Sequence, residues 1–494
     1  MYIGRGFNRS ELGDVDVVAA DDGTFHLFHL VLPNHDYVAH AVSEDGLTWR
    51  RVRNAVYIGE PGAWDDDMIW TMHVSRDPDR PGAWRMFYTG LSRREGGAVQ
   101  RIGLARSDDL YAWTKAEGGS YPLAVRGPGY ESSRDEGRRW VSCRDPYFFA
   151  DESGRYLLVD ARAPTGPVCR RGCVGLARET APDRFAWEGP LFYPRMYDDV
   201  EVPGLAKLGG EYYLVGNVRE DIKVHYWRAS SFRGPYEAMA DNVLLPKGNY
   251  AARPLALGDR TLLWNFYIAG DAPGGGRILP PPVELRRREP GGELYVAGFR
   301  GFDAEAGAPL GPAELLPARP VLGNPTASAS AAADGGLTLS SFSGYEVFLL
   351  REPASDFRLR AELELSGPGK VGLALRCGEE ADGYFVSLDL INGLAQARYW
   401  GASEKALGED SFVYRELQEG RFRAKPERRY RIEAVAWGGY LELSVDGAVA
   451  LRLVDARPAA GGLLGFYVES AELRVRGLSV EAMAGPEEED HGIF

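Results

Sequence analysis

Five short runs of aromatic and aliphatic residues recur along the first 270 residues of the chain. Three of them follow a turn signal that contains glycine, such as DDG or LGG. A polar segment ending in Trp49, Trp113 or Trp187 follows the first three runs, and Tyr236 takes that place after the fourth. The five runs are FHLFHL (25–30), WRMFYTG (84–90), RYLLVDA (155–161), EYYLVGN (211–217) and RTLLWNF (260–266).

The recurrence predicts a repeated unit of some 50–70 residues, built from several short strands and hairpin turns. Such a unit is typical of a propeller blade. Five units fit between about residue 10 and residue 300. We therefore expect a five-bladed β-propeller rather than a plain β-sandwich, because turn, strand and terminal aromatic recur in the same order.

The pattern changes after residue 300. The segment 301–336 is rich in Ala, Gly, Pro and Ser and has little periodicity, which is typical of a linker. Beyond it, residues 357–365 and 430–437 alternate between apolar and polar, as half-buried strands do, and Asp446-Gly447 is a hairpin signal. The prediction is an all-β chain: a five-bladed β-propeller (1–310), a linker (311–336) and a C-terminal antiparallel β-sandwich of jelly-roll, lectin-like type (337–494).

Composition narrows the classes of function. The chain has 57 Lys+Arg against 71 Asp+Glu, a net charge of −14, which excludes partners that need a basic surface, such as nucleic acid or an anionic membrane. With no recognisable signal peptide or spanning segment, we expect a cytoplasmic protein. Four cysteines are too few for a disulfide framework, and Cys169 and Cys173 lack companion ligands. No metal or cofactor is expected, and the oligomeric state is not readable.

Three carboxylates precede the apolar runs at one spacing. Asp14, Asp145 and Glu201 each lie 11 residues before an aromatic residue of the following run. Because the first strand of every blade lines the central channel, equivalent positions face one another around the axis. Three carboxylates held there would repel one another and raise at least one pKa, an arrangement typical of a catalytic site.

Opposed carboxylates suggest a specific reaction. One carboxylic acid protonates the leaving oxygen of a glycosidic bond, while a second attacks the anomeric carbon or activates a water. A third can stabilise the charged transition state. The residues themselves leave these three roles unassigned.

Four further residues are candidates for contact with a sugar. Arg144 could keep Asp145 ionised and bind hydroxyls, and Asp16 points to the same face of its strand as Asp14. Trp70 and Tyr250 could stack on a sugar ring. The acidic cluster 65–67 is more simply a solvated loop than a cation or sugar site.

Several of these segments resemble glycoside hydrolase family 32, the β-fructofuranosidases. Arg144-Asp145-Pro146 matches the family's Arg-Asp-Pro motif, and Glu201-Val202-Pro203 matches its Glu-Cys-Pro motif with Val for Cys. Asp14 falls where the Asp of the Asn-Asp-Pro-Asn motif would fall, although Gly13 and Val15 replace its neighbours. The further segments that resemble the family are AVQRIGLARSDDLYAW, NYAARP and PPPVEL, whereas IWTMH (69–73) replaces its Phe-Ser-Gly-Ser segment.

The resemblance implies a propeller followed by a sandwich and retaining cleavage of β-fructosides. It assigns Asp14 as the nucleophile, Asp145 as the transition-state stabiliser and Glu201 as the general acid/base. We therefore expect a hydrolase of sucrose, fructo-oligosaccharides or fructans, with fructosyl transfer as an open alternative. The alternatives are the same scaffold acting on another glycoside, such as an arabinofuranoside of the related family 43 type, and a non-catalytic carbohydrate-binding propeller.

Overall fold

The computed structural model describes residues 1–4, 11–116, 118, 120–269, 276–332, 335–402 and 412–486. Nearly all of the regular secondary structure in the described chain is β-strand, which confirms the predicted fold class. Its helices are single turns, and none in the described part could span a lipid bilayer. They are α1 (Phe302–Glu305), α2 (Pro312–Leu315) and two 3-10 turns at Arg93–Glu95 and Val168–Arg170.

The first compact unit runs to Tyr295 and consists of five antiparallel sheets, each a meander. The strands of sheets one and two are β1 (Glu11–Ala19), β2 (Phe25–Leu32), β3 (Tyr37–Ser43), β4 (Arg50–Arg51), β5 (Val56–Tyr57), β6 (Met68–Arg76), β7 (Trp84–Leu91), β8 (Arg101–Ser107) and β9 (Thr114–Lys115). Those of sheets three to five are β10 (Arg144–Asp151), β11 (Gly154–Arg162), β12 (Gly172–Ala181), β13 (Arg184–Trp187), β14 (Glu201–Leu208), β15 (Glu211–Val218), β16 (Lys223–Ala229), β17 (Val243–Leu245), β18 (Asn249–Leu257), β19 (Arg260–Ile268), β20 (Arg277–Ile278), β21 (Val283–Arg287) and β22 (Leu294–Ala297).

The five sheets close into a ring. The first strand of each sheet, β1, β6, β10, β14 or β18, contacts the first strand of the next, and β18 returns to β1. The five apolar runs of the sequence form the second strands, which are apolar on both faces because each sheet is covered by its neighbours. Apolar clusters between adjacent sheets form the core. The predicted five-bladed propeller is confirmed.

Every innermost strand carries a β-bulge near its beginning. Asp145, Val202 and Ala251 adopt left-handed backbone conformations there, with φ of 57°, 48° and 55°. A bulge takes residues out of the ladder and redirects their amides and side chains, and it is common next to active sites. The ladders are interrupted between Leu12 and Val15, Trp70 and Met72, Arg144 and Tyr147, Glu201 and Gly204, and Tyr250 and Arg253.

The second unit begins at Val296 and is an antiparallel β-sandwich. Its two longest strands, Leu337–Ala354 and Gly462–Met483, pair with each other, and each also pairs with further strands along its length. Its strands are β23 (Ala306–Leu310), β24 (Arg319–Pro320), β25 (Ala327–Ala331), β26 (Leu337–Ala354), β27 (Phe357–Ser366), β28 (Lys370–Cys377), β29 (Gly383–Asp389), β30 (Leu394–Ala402), β31 (Phe412–Arg421), β32 (Arg429–Trp437), β33 (Tyr440–Val445), β34 (Ala448–Val454) and β35 (Gly462–Met483).

Two features of this unit differ from the domain and linker boundaries predicted from the sequence. The division between units falls inside β22, earlier than the predicted 310, and β24 and β25 lie in the predicted linker yet pair with β26. Ladder pairing uses backbone groups, so a run of small residues such as 327–331 can form an edge strand without an apolar pattern. The hairpin at Asp446-Gly447 is present, with positive φ at both residues.

Candidate active site

The structure brings the three predicted carboxylates together at the beginnings of β1, β10 and β14. Asp145 is almost fully buried, and burial raises its pKa to about 6. The Arg144 cation opposes this shift, whereas the nearby charges of Asp14 and Glu201 add to it. The amide of Val202, next to Glu201, donates to Asp145 Oδ2 at 3.0 Å. The three acids therefore form one electrostatic cluster.

The acids converge through three different bulge positions. Glu201 is the last paired residue before its bulge, Asp145 is the first bulge residue of β10, and Asp14 is the second bulge residue of β1. The equal 11-residue spacing therefore does not mark equivalent positions, and that premise was wrong. The aromatic residues used as references sit at different distances from their hairpins, and the β1–β2 turn is also longer than the other two.

The equivalent residues of three blades contact one another directly. Arg144, Glu201 and Tyr250 each occupy the position before the bulge. Arg144 Nη2 lies 2.9 Å from Glu201 Oε1, and the Tyr250 hydroxyl donates to Glu201 Oε2. Burial and the Glu201 charge raise the pKa of Tyr250, so its phenol remains a donor. Both oxygens of Glu201 are thereby held.

Arg144 lies buried among several carboxylates. Its Nη2 is 2.6 Å from Asp160 Oδ2 and 3.4 Å from Asp199 Oδ2, and its Nε is 3.6 Å from Asp145 Oδ2. Burial disfavours this cation, but the surrounding acids outweigh burial and hold the Arg144 pKa well above its usual value. Arg144 thus lowers the cost of gathering the acids, although it does not fully offset the effect of burial on Asp145.

Two further acids of this cluster, Asp160 and Asp199, were not predicted from the sequence. Asp160 is fully buried on β11 opposite Arg144, and burial raises its pKa well above the usual value. Asp199 is also buried, but Arg144 and Arg138 outweigh burial and lower its pKa. The available signal was a charged residue inside the apolar run RYLLVDA. Carboxylate oxygens of Asp160, Asp199 and Glu201 lie within 4.8 Å of one another, and the Arg144 guanidinium supplies the positive charge among them.

Two buried threonines, Thr71 and Thr89, were also not predicted from the sequence. The Thr71 hydroxyl donates to Asp14 Oδ2, and the Asp145 amide donates to Thr89 Oγ1 at 3.1 Å. Thr89 in turn donates to the Thr71 carbonyl at 3.3 Å. This pair, on β6 and β7, links the nucleophile candidate to Asp145. Threonines inside strands carry no distinctive sequence signal.

The remaining candidates have other surroundings. Asp16 is buried deeper in the channel, where Oδ2 accepts the Val74 amide at 2.5 Å and lies 3.1 Å from His73 Nδ1. Two residues along a strand advance it by about 7 Å, so Asp16 shares the face of Asp14 but occupies a lower layer. Trp70 is half-buried against His35 and the apolar cluster of the first two blades.

The acidic cluster 65–67 is not a solvated loop. Asp65 and Asp66 are buried. Asp65 Oδ2 accepts from the Tyr88 hydroxyl at 2.9 Å and the Lys115 ammonium at 2.5 Å. Backbone amides donate to Asp66 and lower its pKa. Protein donors thus hold these two carboxylates inside the second blade.

Comparison with known proteins identifies the family. Residues 10–232 match the model of the Glycosyl hydrolases family 32 N-terminal domain. Residues 10–232 therefore form a glycoside hydrolase family 32 N-terminal domain. The protein that carries this domain is a glycoside hydrolase. No curated protein sequence matches the chain.

Solved family 32 structures resemble the chain over nearly its whole length. Exo-inulinase from Aspergillus awamori aligns with a TM-score of 0.68 at 13% identity, covering 99% of this chain and 100% of the other. Fructan 1-exohydrolase IIa from Cichorium intybus gives 0.67 at 13%, covering 96% of each. Sucrose-6-phosphate hydrolase from Lactobacillus gasseri gives 0.65 at 13%, covering 96% and 91%. At this identity the likeness concerns the fold.

One departure from the family 32 motifs has a structural reason. A Cβ on Gly13 would lie 2.6 Å from Leu30 Cβ and 2.9 Å from Leu32 Cδ1. Glycine therefore fits where the family motif has Asn, because β2 packs directly against the bulge that presents Asp14.

The raised pKa of Asp145 predicts that Asp145→Asn stabilises the protein at neutral pH. The folded pKa of about 6 exceeds the usual 3.8, so ionisation of Asp145 destabilises the fold above about pH 6 and has no effect below about pH 4. The variant should gain up to about 3 kcal/mol in free energy of unfolding at pH 7.5, and less than about 1 kcal/mol at pH 4. Thermal unfolding at the two pH values measures this difference.

Asp151→Asn, at the other end of β10, is the matched control. There, hydrogen bonds from Ser153 and Tyr212 outweigh burial and lower the Asp151 pKa. This substitution should lower the melting temperature at pH 7.5. If Asp145→Asn did the same, the assigned environment of Asp145 would be wrong.

Proposed function

We propose that this protein hydrolyses terminal β-fructofuranosyl bonds in sucrose, fructo-oligosaccharides or fructans. Family 32 membership supports the reaction class, and the neighbours named as exo-inulinase, fructan exohydrolase and sucrose-6-phosphate hydrolase support a fructosyl substrate. The observation that carries the proposal is the cluster of Asp14, Asp145 and Glu201, with each acid held by donors from a neighbouring blade.

Glu201 would act as the general acid and then as the general base. Its Oε1 faces the Arg144 cation, whereas Oε2 accepts from the neutral Tyr250 hydroxyl. A proton is less favourable beside a guanidinium, so Oε2 is the atom that would carry it. The Tyr250 hydroxyl can rotate and accept when Oε2 is protonated.

Asp14 would act as the nucleophile. Thr71 holds Oδ2, and within the described residues Oδ1 accepts no hydrogen bond. A bond would form from Oδ1 to the anomeric carbon as the bond to the leaving sugar breaks, and the leaving oxygen would take the Glu201 proton. Water, deprotonated by Glu201, would then release fructose from the ester.

Asp145 would stabilise the transition state. Its Oδ2 is held by the Val202 amide, and its carboxylate lies close to Asp14 and Glu201. In the ionised form it can accept hydrogen bonds from sugar hydroxyls and balance positive charge that develops at the anomeric centre. Its burial strengthens that interaction, because less water screens it.

A substrate screen tests the proposed specificity. We expect release of fructose from sucrose, inulin or levan, and no release of pentose from arabino-oligosaccharides. Purified Glu201→Gln protein provides the blank for contaminating activity. Pentose release alone would establish the alternative furanosidase, and binding of fructans without product at high enzyme concentration would indicate a non-catalytic propeller.

Loss of the Glu201 carboxyl should impair proton transfer specifically. We expect Glu201→Gln to reduce kcat on sucrose or a fructan by about 10²–10⁴-fold. A fructosyl fluoride should retain much more activity, because its leaving group needs little protonation. Glu211→Gln, on the partner strand β15, is the control and should leave kcat unchanged. Equal losses on both substrates would contradict the acid role.

Loss of the Thr71 hydroxyl should misorient Asp14. We expect Thr71→Val, which is nearly isosteric, to lower kcat by about 10–10²-fold, the effect of losing a hydrogen bond to a charged group. Thr71→Ser keeps the hydroxyl and should restore most of the rate. Wild-type kcat in Thr71→Val would exclude this role.

A further inference from the structure

Arg253 is a fully buried arginine on β18, three residues after Tyr250. Its Nη2 donates to the Pro146 carbonyl at 2.9 Å, and its Nη1 donates to the Pro203 carbonyl at 2.5 Å. Its guanidinium lies 5.4 Å from the centre of the Tyr147 ring. One side chain of the fifth blade therefore contacts the backbone of both the third and the fourth.

The two carbonyls belong to the bulges that present the acids. Pro146 directly follows Asp145, and Pro203 lies two residues after Glu201. Both prolines stand inside the interruption of their ladders, where a carbonyl has no regular partner in the sheet. A buried carbonyl needs a hydrogen-bond donor, and the planar guanidinium can supply two at fixed geometry. Arg253 thus satisfies both bulges at once.

The charge of Arg253 also faces the acids. Burial lowers its pKa, and the carboxylates of Asp16, Asp145 and Asp14 oppose that effect. On β1 the cation faces Asp14 and Asp16, and on β10 it faces Asp145 and the Tyr147 ring.

The other nearby strands complete these surroundings. From β6, His73 contacts both Asp16 and Tyr147, and β14 contributes the Pro203 carbonyl. The guanidinium therefore provides positive charge close to the carboxylates, in addition to its two hydrogen bonds.

We propose that Arg253 is a positioning residue of the hydrolytic site: by joining the Pro146 and Pro203 carbonyls it fixes the separation of Asp145 and Glu201, and it places a buried cation beside the carboxylates of the site. This proposal rests on the proposed function for its kinetic consequences. Its structural consequence, the restraint of two bulges, does not depend on the substrate.

Three variants separate the two effects. Arg253→Met removes both the hydrogen bonds and the charge, whereas Arg253→Lys keeps the charge but cannot span the two carbonyls. Arg85→Met is the control, because Arg85 is equally buried in the propeller. It pairs with Glu179 at 2.7 Å and lies 4.3 Å from the Phe148 ring centre. Melting temperatures report the stability lost by each variant.

Kinetics on a cleaved fructoside provide the first measurement. We expect both Arg253 variants to lose kcat by about 10²-fold, the effect of a displacement of about 1 Å, with a smaller change in KM. In Arg253→Met the acid limb of the kcat/KM profile should move to higher pH by about half a unit to one unit, because the ionised carboxylates lose a neighbouring cation. In Arg253→Lys, which keeps the charge, the acid limb should stay in place. Arg85→Met should keep the wild-type acid limb.

Hydrogen exchange provides a measurement that needs no substrate. Peptides covering β10 and β14 should exchange faster in both Arg253 variants, and those covering β2 and β3 should not. If wild-type protein cleaves no fructoside, the proposed function fails while this measurement still tests the restraint. The proposal is overturned if folded Arg253→Met keeps wild-type kcat and exchange, or if its loss of activity merely follows its loss of stability as in Arg85→Met. If Arg253→Met does not fold, wild-type kcat and exchange in Arg253→Lys overturn it.

Discussion

The site depends on the burial of one cation among several acids. Carboxylates that are held close and excluded from water repel one another, and each is more easily protonated than in solution. Arg144 sits between Asp160, Asp199 and Glu201 and within reach of Asp145, so its charge makes this assembly possible. The balance is incomplete, since the pKa of Asp145 remains raised to about 6. A strained electrostatic arrangement of this kind indicates selection for chemistry rather than for stability.

The geometry of the site comes from irregularities in the sheets. A regular ladder would place equivalent side chains at one height around the channel. The bulges instead let Glu201, Asp145 and Asp14 occupy successive positions and still meet. They also release backbone groups, and these find partners across the blades: the Asp145 amide with Thr89, the Val202 amide with Asp145, and two carbonyls with Arg253.

The sequence was sufficient for the architecture because apolar second strands recur once per blade and the sandwich alternates. It also singled out Asp14, Asp145 and Glu201, which the structure brings together; the Arg-Asp-Pro and Glu-Val-Pro segments mark the last two. It could not yield Thr71 or Arg253, because their roles arise from contacts between blades distant along the chain. Asp160 did leave a signal, a charge inside an apolar run, but only the pairing of β10 with β11 shows that it lies opposite Arg144. Asp16 shows the limit of strand periodicity: alternation predicts the face of a side chain but not the depth at which neighbouring strands enclose it.

The left-handed backbone at Val202 has a consequence for how the site can change over evolution. The group that serves Asp145 there is an amide, which every residue except proline possesses. The side chain can therefore be exchanged without loss of that hydrogen bond, which explains how Val can stand where the family motif has Cys. A substitution at residue 202 is consequently a poor guide to whether the activity has changed. An insertion that alters the bulge would displace the amide and would be far less tolerated by the site.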